Sequence, residues 1–225
     1  MKACLLILCS LLANLSLAQD HLTPAEGYFS RAAQDDKYYS LIQNRLLKGL
    51  SAWPLAKVVV LPSFEEEYVV TVDSVKGSYY VMVRSMENDL WSIRNDSARV
   101  QTAKYLETRR RIKPDLAKEL NRLFFDAVSQ TRYPPIKYDT LDNGQLETMT
   151  VTIADGVRYH FTAYGSGFGV RGGETHSPEE GSLMGQLVAL TGRMVTIAEG
   201  NTKESEQTLK QAAQALHRKL LKPLR

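Results

Sequence analysis

Cysteine is almost missing from this sequence. The 225 residues contain two, Cys4 and Cys9, and none follows them. A mature chain that starts after residue 18 therefore has no disulfide bond and no thiolate for catalysis or metal binding. Secreted eukaryotic proteins of this size usually carry disulfides, so their absence favours a protein of the bacterial envelope.

An excess of charge of either sign is also lacking. Twenty-eight Lys and Arg stand against 25 Asp and Glu, for a formal net charge of +3 at pH 7. The one basic cluster, residues 109–113, has no aromatic residues among its cations, so nucleic acid is not an expected partner. We interpret the cluster as a solvated strand end. Long apolar runs are missing after residue 18, and we expect no membrane span in the mature chain.

The N-terminus does carry a pattern. Lys2 precedes an apolar run over residues 3–17 that ends in Ser16-Leu17-Ala18, with small side chains where a signal peptidase requires them. The run is about 15 residues long, shorter than the roughly 20 of a spanning helix. This predicts a signal peptide over residues 1–18 and a single domain over 19–225, in the periplasm or outside the cell. An uncleaved membrane anchor is the alternative.

Apolar residues spaced three and four apart predict helices. The clearest helix begins at Pro114, where the missing N–H costs nothing, and Asp115 favours its N-terminus. Ser177 is the expected N-cap of a later helix, in a capping box with Glu180, and Asn201 that of the last one. The predicted helices span about 33–50, 114–131, 178–199 and 202–221.

Runs of β-branched and aromatic residues predict an antiparallel sheet built from two hairpin regions, about 57–110 and 147–164. Asp155-Gly156 is expected to join two strands of the second region through a type I′ turn. The first region is expected to contain further strands at 90–94 and 99–110. Strands grouped between helices predict the α+β class.

Glycines are concentrated in residues 165–177, which we predict to be a loop. Within it, residues 167–172 match G-x-G-x-x-G, the pattern with which dinucleotide-binding folds approach a pyrophosphate. The segment joins an antiparallel hairpin to a helix and not two parallel strands, so no nucleotide cofactor is expected. The glycines are explained by turns that need positive φ.

The same segment suggests a metal site. His160, Glu174 and His176 could converge, with Glu179 nearby, and two imidazoles with one carboxylate are a catalytic zinc set that leaves a position for water. The spacing H-x13-E-x-H is no established signature. The alternative is a set of ordinary polar loop residues with His160 facing solvent.

Aromatic residues suggest a contact surface. Tyr79 and Tyr80 are consecutive in a predicted strand, so they lie on opposite faces, and one is exposed unless helices cover both. Exposed aromatic and arginine side chains are typical of binding surfaces. The predicted binding residues are Tyr79, Tyr80, Trp91, Phe168 and Arg171.

Three functions follow as hypotheses. The first is a small exported protein of the bacterial envelope, without enzymatic activity or cofactor, that binds a protein or a small ligand through the sheet and residues 165–177. The second is a metal-dependent hydrolase using His160, Glu174 and His176, with zinc as its possible cofactor. The third is an assembly role in which the polar C-terminal helix docks on a partner.

Overall fold

The computed structural model describes residues 20–25, 37–133, 138–140, 146–148 and 155–222. It confirms the α+β class. The strands are β1 (Thr23–Pro24), β2 (Ala56–Pro62), β3 (Tyr68–Val75), β4 (Ser78–Met86), β5 (Tyr105–Ile112), β6 (Tyr138–Thr140), β7 (Leu146–Thr148), β8 (Val157–Gly165) and β9 (Gly169–His176). The helices are α1 (Lys37–Leu41), α2 (Leu90–Ile93), α3 (Ser97–Thr102), α4 (Pro114–Ser129), α5 (Leu183–Ala198) and α6 (Glu206–Leu220), and a π-helical turn, Ile42–Leu46, continues α1.

Seven of the strands form one antiparallel sheet in the order β1-β9-β8-β2-β3-β4-β5. Its central hairpin, β3–β4, turns at Lys76 and Gly77, whose φ values of 49° and 78° are both positive. Such a two-residue turn matches the right-handed twist of the flanking strands. β6 and β7 form a separate two-stranded sheet.

The two faces of the sheet carry different clusters, because successive strand residues point to opposite sides. Val58 and Val60 belong to the main core with the apolar stripes of α4, α5 and α6. The predicted stripe of α4 is buried there, from Leu116 to Val128. Val59 and Leu61 belong to a second cluster on the opposite face, under α1 and α2. The second face carries the candidate site.

Arg84 attaches the α1 segment to this second face. Its guanidinium donates to the carbonyls of Leu46 and Lys48 at 2.9 and 2.8 Å, and pairs with the Glu107 carboxylate at 2.7 Å. The same guanidinium lies 4.2 Å from the ring centre of Tyr105. The Arg84 side chain is 7% exposed, so one buried cation links α1, β4 and β5.

Of two strands predicted in the first hairpin region, the one at 90–94 is wrong and the one at 99–110 is correct only from residue 105 onward. Residues 90–94 hold helix α2, because the Asp89 carboxylate accepts from the Trp91 N–H at 2.8 Å and the Glu67 carboxylate accepts from the Leu90 N–H at 2.9 Å. Residues 99–102 belong to helix α3, whose N-cap Asp96 accepts from two backbone N–H groups. The strand predicted over 99–110 therefore begins at Tyr105.

The predicted second hairpin is also wrong. β8 pairs with β2 on one side and with β9 on the other, so no position beside it is left for residues 147–154. The beginning of that predicted strand, in β7, pairs with β6 instead, and residues 149–154 lie outside the described residues. Gly156 has a φ of 135°, which a type I′ turn does not use. It instead exchanges hydrogen bonds with Ser63.

The segment 165–177, predicted to be a loop, instead contains the β8–β9 turn and strand β9, Gly169–His176. Gly173 is required because an added Cβ would lie 2.7 Å from Thr131 and 2.9 Å from Leu22. The next helix consequently starts later than predicted, with Ser182 as its N-cap in place of Ser177. The last helix likewise begins after Ser205 and not after Asn201.

The first predicted helix, 33–50, is shorter at its C-terminal end. Helical structure runs from Lys37 to Leu46, and residues 33–36 lie outside the described residues. None of the helices within the described ranges is both long enough and apolar enough to cross a membrane.

Candidate functional site

A cavity of ≈ 350 Å³ opens on the second face of the sheet, where β2 ends and β8 begins. We call it the aromatic cavity. Its lining comes from α1, α2, the end of β2 and the facing ends of β8 and β9. The lining residues are Tyr38, Tyr39, Leu61, Pro62, Ser63, Phe64, Trp91, Asp155, Gly156, Arg158 and His176.

Aromatic rings form one wall of the aromatic cavity. Tyr38 meets Trp91 edge to face, with ring centres 5.2 Å apart, and meets Tyr39 at 5.3 Å. Trp91 is 46% exposed and Phe64 is 79% exposed. The Arg94 guanidinium stacks 3.6 Å from the centre of the Trp91 ring. Large apolar surfaces are thus held open to solvent, although burial would stabilise them.

Glu67 holds this wall in place. Its fully buried carboxylate accepts from the N–H groups of Leu90 and Trp91, at 2.9 and 3.3 Å, and from the Tyr38 hydroxyl. Burial raises the pKa of the Glu67 carboxyl, and burial followed by the neighbouring Glu67 raises the pKa of the Tyr38 hydroxyl. The carboxyl group fixes α2 and α1 relative to each other, and with them the Tyr38–Trp91 contact.

The opposite wall is polar. Arg158 and His176 face each other across β8 and β9, and the next pair on the same face is His160 with Glu174. The Arg158 guanidinium donates to the Tyr39 hydroxyl at 3.4 Å, so the two walls meet there. Burial, then the Arg158 charge, lowers the pKa of the His176 imidazole. Arg158 consequently carries the positive charge of this wall.

His160 lies beneath that wall, and its ring is buried. Its Nδ1 is 3.2 Å from a Glu174 carboxylate oxygen, which favours the protonated ring. Burial and the Arg158 charge act in the other direction and lower the pKa of His160 to about 3. The lowered pKa makes the folded imidazole neutral at pH 7, in contact with the Glu174 carboxylate.

The predicted metal set is only partly brought together. His160 and Glu174 are in contact, whereas His176 lies one residue pair further along the sheet, at the aromatic cavity. Within the part of the chain that the structure describes, no group of three or more His, Cys, Asp or Glu side chains is placed to hold a metal ion. His160 is buried, contrary to the alternative in which it faces solvent.

The five predicted binding residues lie in separate places. Trp91 lines the aromatic cavity, Tyr79 packs against the main core, and Tyr80 lies on the second face under the Arg109 guanidinium, at 3.7 Å. Phe168 sits in the β8–β9 turn, 5.8 Å from the Phe125 ring, and Arg171 is exposed on β9. Of the five, Trp91 alone belongs to the cavity lining.

Sequence reasoning missed Tyr38, Tyr39, Phe64 and Arg158. One pattern in the sequence could have pointed to Arg158, because it lies two residues before His160 and so shares its face of the strand. No pattern in the sequence predicts that α1 lines the cavity, because the position of α1 on the sheet depends on contacts with Arg84 and Glu67, which are distant in sequence.

Comparison of the chain with protein-family models, with curated proteins and with solved structures found no significant match.

Proposed function

We propose that this protein is an exported, non-enzymatic binding protein of the bacterial envelope, and that its binding site is the aromatic cavity. The ligand expected there is a small molecule with a flat apolar body and one acidic group. The observation that carries the proposal is the meeting of Tyr38, Tyr39, Trp91 and Arg158 around one opening on the sheet.

The flat apolar body follows from the aromatic wall. Small-ligand sites are concave, mostly apolar and lined by aromatic side chains with a few converging polar groups. Rings that meet at their edges leave ring faces on which a flat molecule can stack. A cavity of ≈ 350 Å³ is at the small end of such sites, which begin at roughly 300 Å³, so it suits a small molecule of two or three rings.

The acidic group follows from the polar wall. Arg158 is half-buried, and its planar guanidinium suits a carboxylate or sulfonate better than any other side chain in the lining does. The carboxylate in the lining, Asp155, is exposed, so solvent screens its charge. His176 adds no second positive charge at neutral pH, because its pKa is lowered.

The aromatic sulfonate 1-anilinonaphthalene-8-sulfonate is a suitable probe for this site. In a Trp53→Phe variant of the mature chain, Trp91 is the remaining tryptophan and reports from the cavity itself. We expect one-to-one quenching of Trp91. Arg158→Gln should weaken binding by about tenfold, since a hydrogen bond to a charged group contributes roughly 1.5–3 kcal/mol. Tyr39→Ala should weaken it by a similar factor.

Two matched variants serve as controls for this titration. Arg218→Gln removes an exposed arginine on α6, and Tyr133→Ala removes an exposed tyrosine that does not line the cavity. Both should bind the probe as the parent does, and near-UV circular dichroism should show all variants folded. If the Arg158→Gln and Tyr39→Ala variants both bind the probe as tightly as the parent does, the probe binds elsewhere and the proposal is refuted.

Export has its own test. Expressed with its leader in a bacterial host, the protein should be released with the periplasmic fraction, and its intact mass should match a chain that begins at Gln19. A control with Leu11→Arg and Leu12→Arg interrupts the apolar run and should stay uncleaved in the cytoplasm. Recovery of the unaltered protein with Met1 in place would contradict the signal-peptide prediction.

A further inference from the structure

Strand β5 is one of the two edges of the sheet, at the end of the strand order opposite β1. Its eight residues pair one to one with β4 without a bulge or a proline, and the first seven, Tyr105–Arg111, are all exposed. Edge strands in natural proteins are usually short, bulged, covered or interrupted by proline, because an open edge is a template for another strand. The described part of β5 uses none of these four devices, and what guards it against pairing with another copy is the charge of its side chains.

The turn between β3 and β4 shows which backbone groups of β5 point outward. In a two-residue hairpin the residues that flank the turn, here Val75 and Ser78, form a hydrogen-bonded pair. Even-numbered residues of β4 therefore bond to β3, and odd-numbered ones bond to β5. Val81 and Arg110 are therefore a hydrogen-bonded pair, and the backbone N–H and C=O of Arg110 point toward β4. The backbone N–H and C=O of the next residue, Arg111, point away from the sheet.

The charge of this edge is strongly positive. Over residues 104–113, five cations stand against one carboxylate, a net charge of +4. The carboxylate, Glu107, is paired with Arg84. Leu106, 64% exposed, adds an apolar contact within the same strand. A second copy of this chain would bring two +4 edges together, which like-charge repulsion opposes.

We propose that β5 binds an extended acidic segment of a partner protein, which adds to the sheet as an eighth strand. Main-chain hydrogen bonds to the outward groups of β5 supply affinity in this mode, and side chains supply selectivity. Carboxylates at alternate positions of the added strand face the arginines on one side of the edge. This surface is independent of the aromatic cavity.

A pair of substitutions at Arg111 separates strand addition from simple charge attraction. Arg111→Pro and Arg111→Gln remove the same charge, but the proline also removes an outward N–H without breaking the ladder to β4. The probe is a fluorescein-labelled peptide of alternating Glu and Val, titrated into the mature full-length chain. Fluorescence anisotropy should show binding that weakens about tenfold or more for Arg111→Pro and about threefold or less for Arg111→Gln.

A second comparison needs no variant of the protein. The same acidic peptide with alternate amides N-methylated keeps its charge but cannot form the ladder, and it should not bind measurably. Equal losses in the two Arg111 variants, or equal binding of both peptides, would overturn the proposal in favour of charge alone. Failure of the acidic peptide to bind, or a concentration-dependent dimer that Arg111→Pro dissociates, would also overturn it.

Discussion

Replacement of Arg84 by methionine is expected to lower the free energy of unfolding by about 3 kcal/mol. The substitution removes a buried cation and leaves its partners in place. The carbonyls of Leu46 and Lys48 lose donors at 2.9 and 2.8 Å, and the Glu107 carboxylate loses its counter-charge. Methionine fills similar space, so the loss reports on the polar contacts more than on a cavity.

The control for this measurement is Arg111→Met. Arg111 is an exposed arginine on the adjacent strand, and surface substitutions of this kind usually change stability by less than about 0.5 kcal/mol. Urea denaturation of both variants, with equal slopes, gives the comparison. Arg84→Met should also weaken probe binding in the aromatic cavity, since α1 carries Tyr38 and Tyr39. A loss below about 1 kcal/mol would show that Arg84 does not attach α1 as described.

The second large effect is a dependence of stability on pH through His160. Its folded pKa is about 3, against an ordinary value of 6.5. Between these values the unfolded chain binds a proton that the folded chain does not, so stability falls as the pH falls. From pH 7 to pH 5 the expected loss from this group is about 2 kcal/mol.

Other groups titrate in the same range, so the effect must be isolated. His176 acts in the same direction, because its pKa is also lowered. The buried carboxyl of Glu67 and the partly buried carboxyl of Asp73 have raised pKa values and act in the opposite direction, since protonation removes a poorly solvated charge. The informative quantity is therefore the difference between the parent and a His160→Asn variant, which removes the titrating imidazole and keeps a polar side chain beside Glu174.

Urea denaturation of these two proteins at pH 7 and pH 5 gives that difference. The parent should lose about 2 kcal/mol more than His160→Asn over this interval. Parallel behaviour of the two proteins would mean that His160 is not held neutral when the chain is folded.

The parts of the fold that the sequence predicted well are those that depend on local patterns. Leu116, Leu120 and Leu123 recur on one face of α4 and are buried. Such an apolar stripe packs against the core of most globular proteins, so its burial can be predicted without knowing the sheet. The β3–β4 hairpin could be predicted equally well, because two β-branched runs are joined by a turn that contains Gly77.

The errors come from interactions between residues that are distant in sequence. Leu90–Ile93 has a strand-like composition, but Glu67 accepts the Leu90 N–H from 23 residues away and stabilises a helix. Gly173 suggested a loop, although its missing side chain is what lets β9 pass against Leu22 and Thr131. Ser177 resembles an N-cap, yet its hydroxyl accepts from the Val157 N–H, and Ser182 caps the helix.

The site was predictable only in its separate parts. The sequence predicts Trp91 as a binding residue and His176 as a metal ligand, and both line the aromatic cavity. Neither interpretation could join them, since they come together only when α2 and β9 are placed on the same face of the sheet. Tyr39 and Arg158, which connect the two walls at 3.4 Å, are 119 residues apart in the chain.

The most direct test of the aromatic cavity as a binding site is amide chemical-shift mapping of the mature chain during titration with 1-anilinonaphthalene-8-sulfonate. The account predicts saturable shifts concentrated at Tyr38, Tyr39, Trp91, Arg158 and His176, with the amides of β5 and α6 unmoved. Shifts concentrated in α5 and α6, or no saturable shift at the five cavity residues, would contradict it.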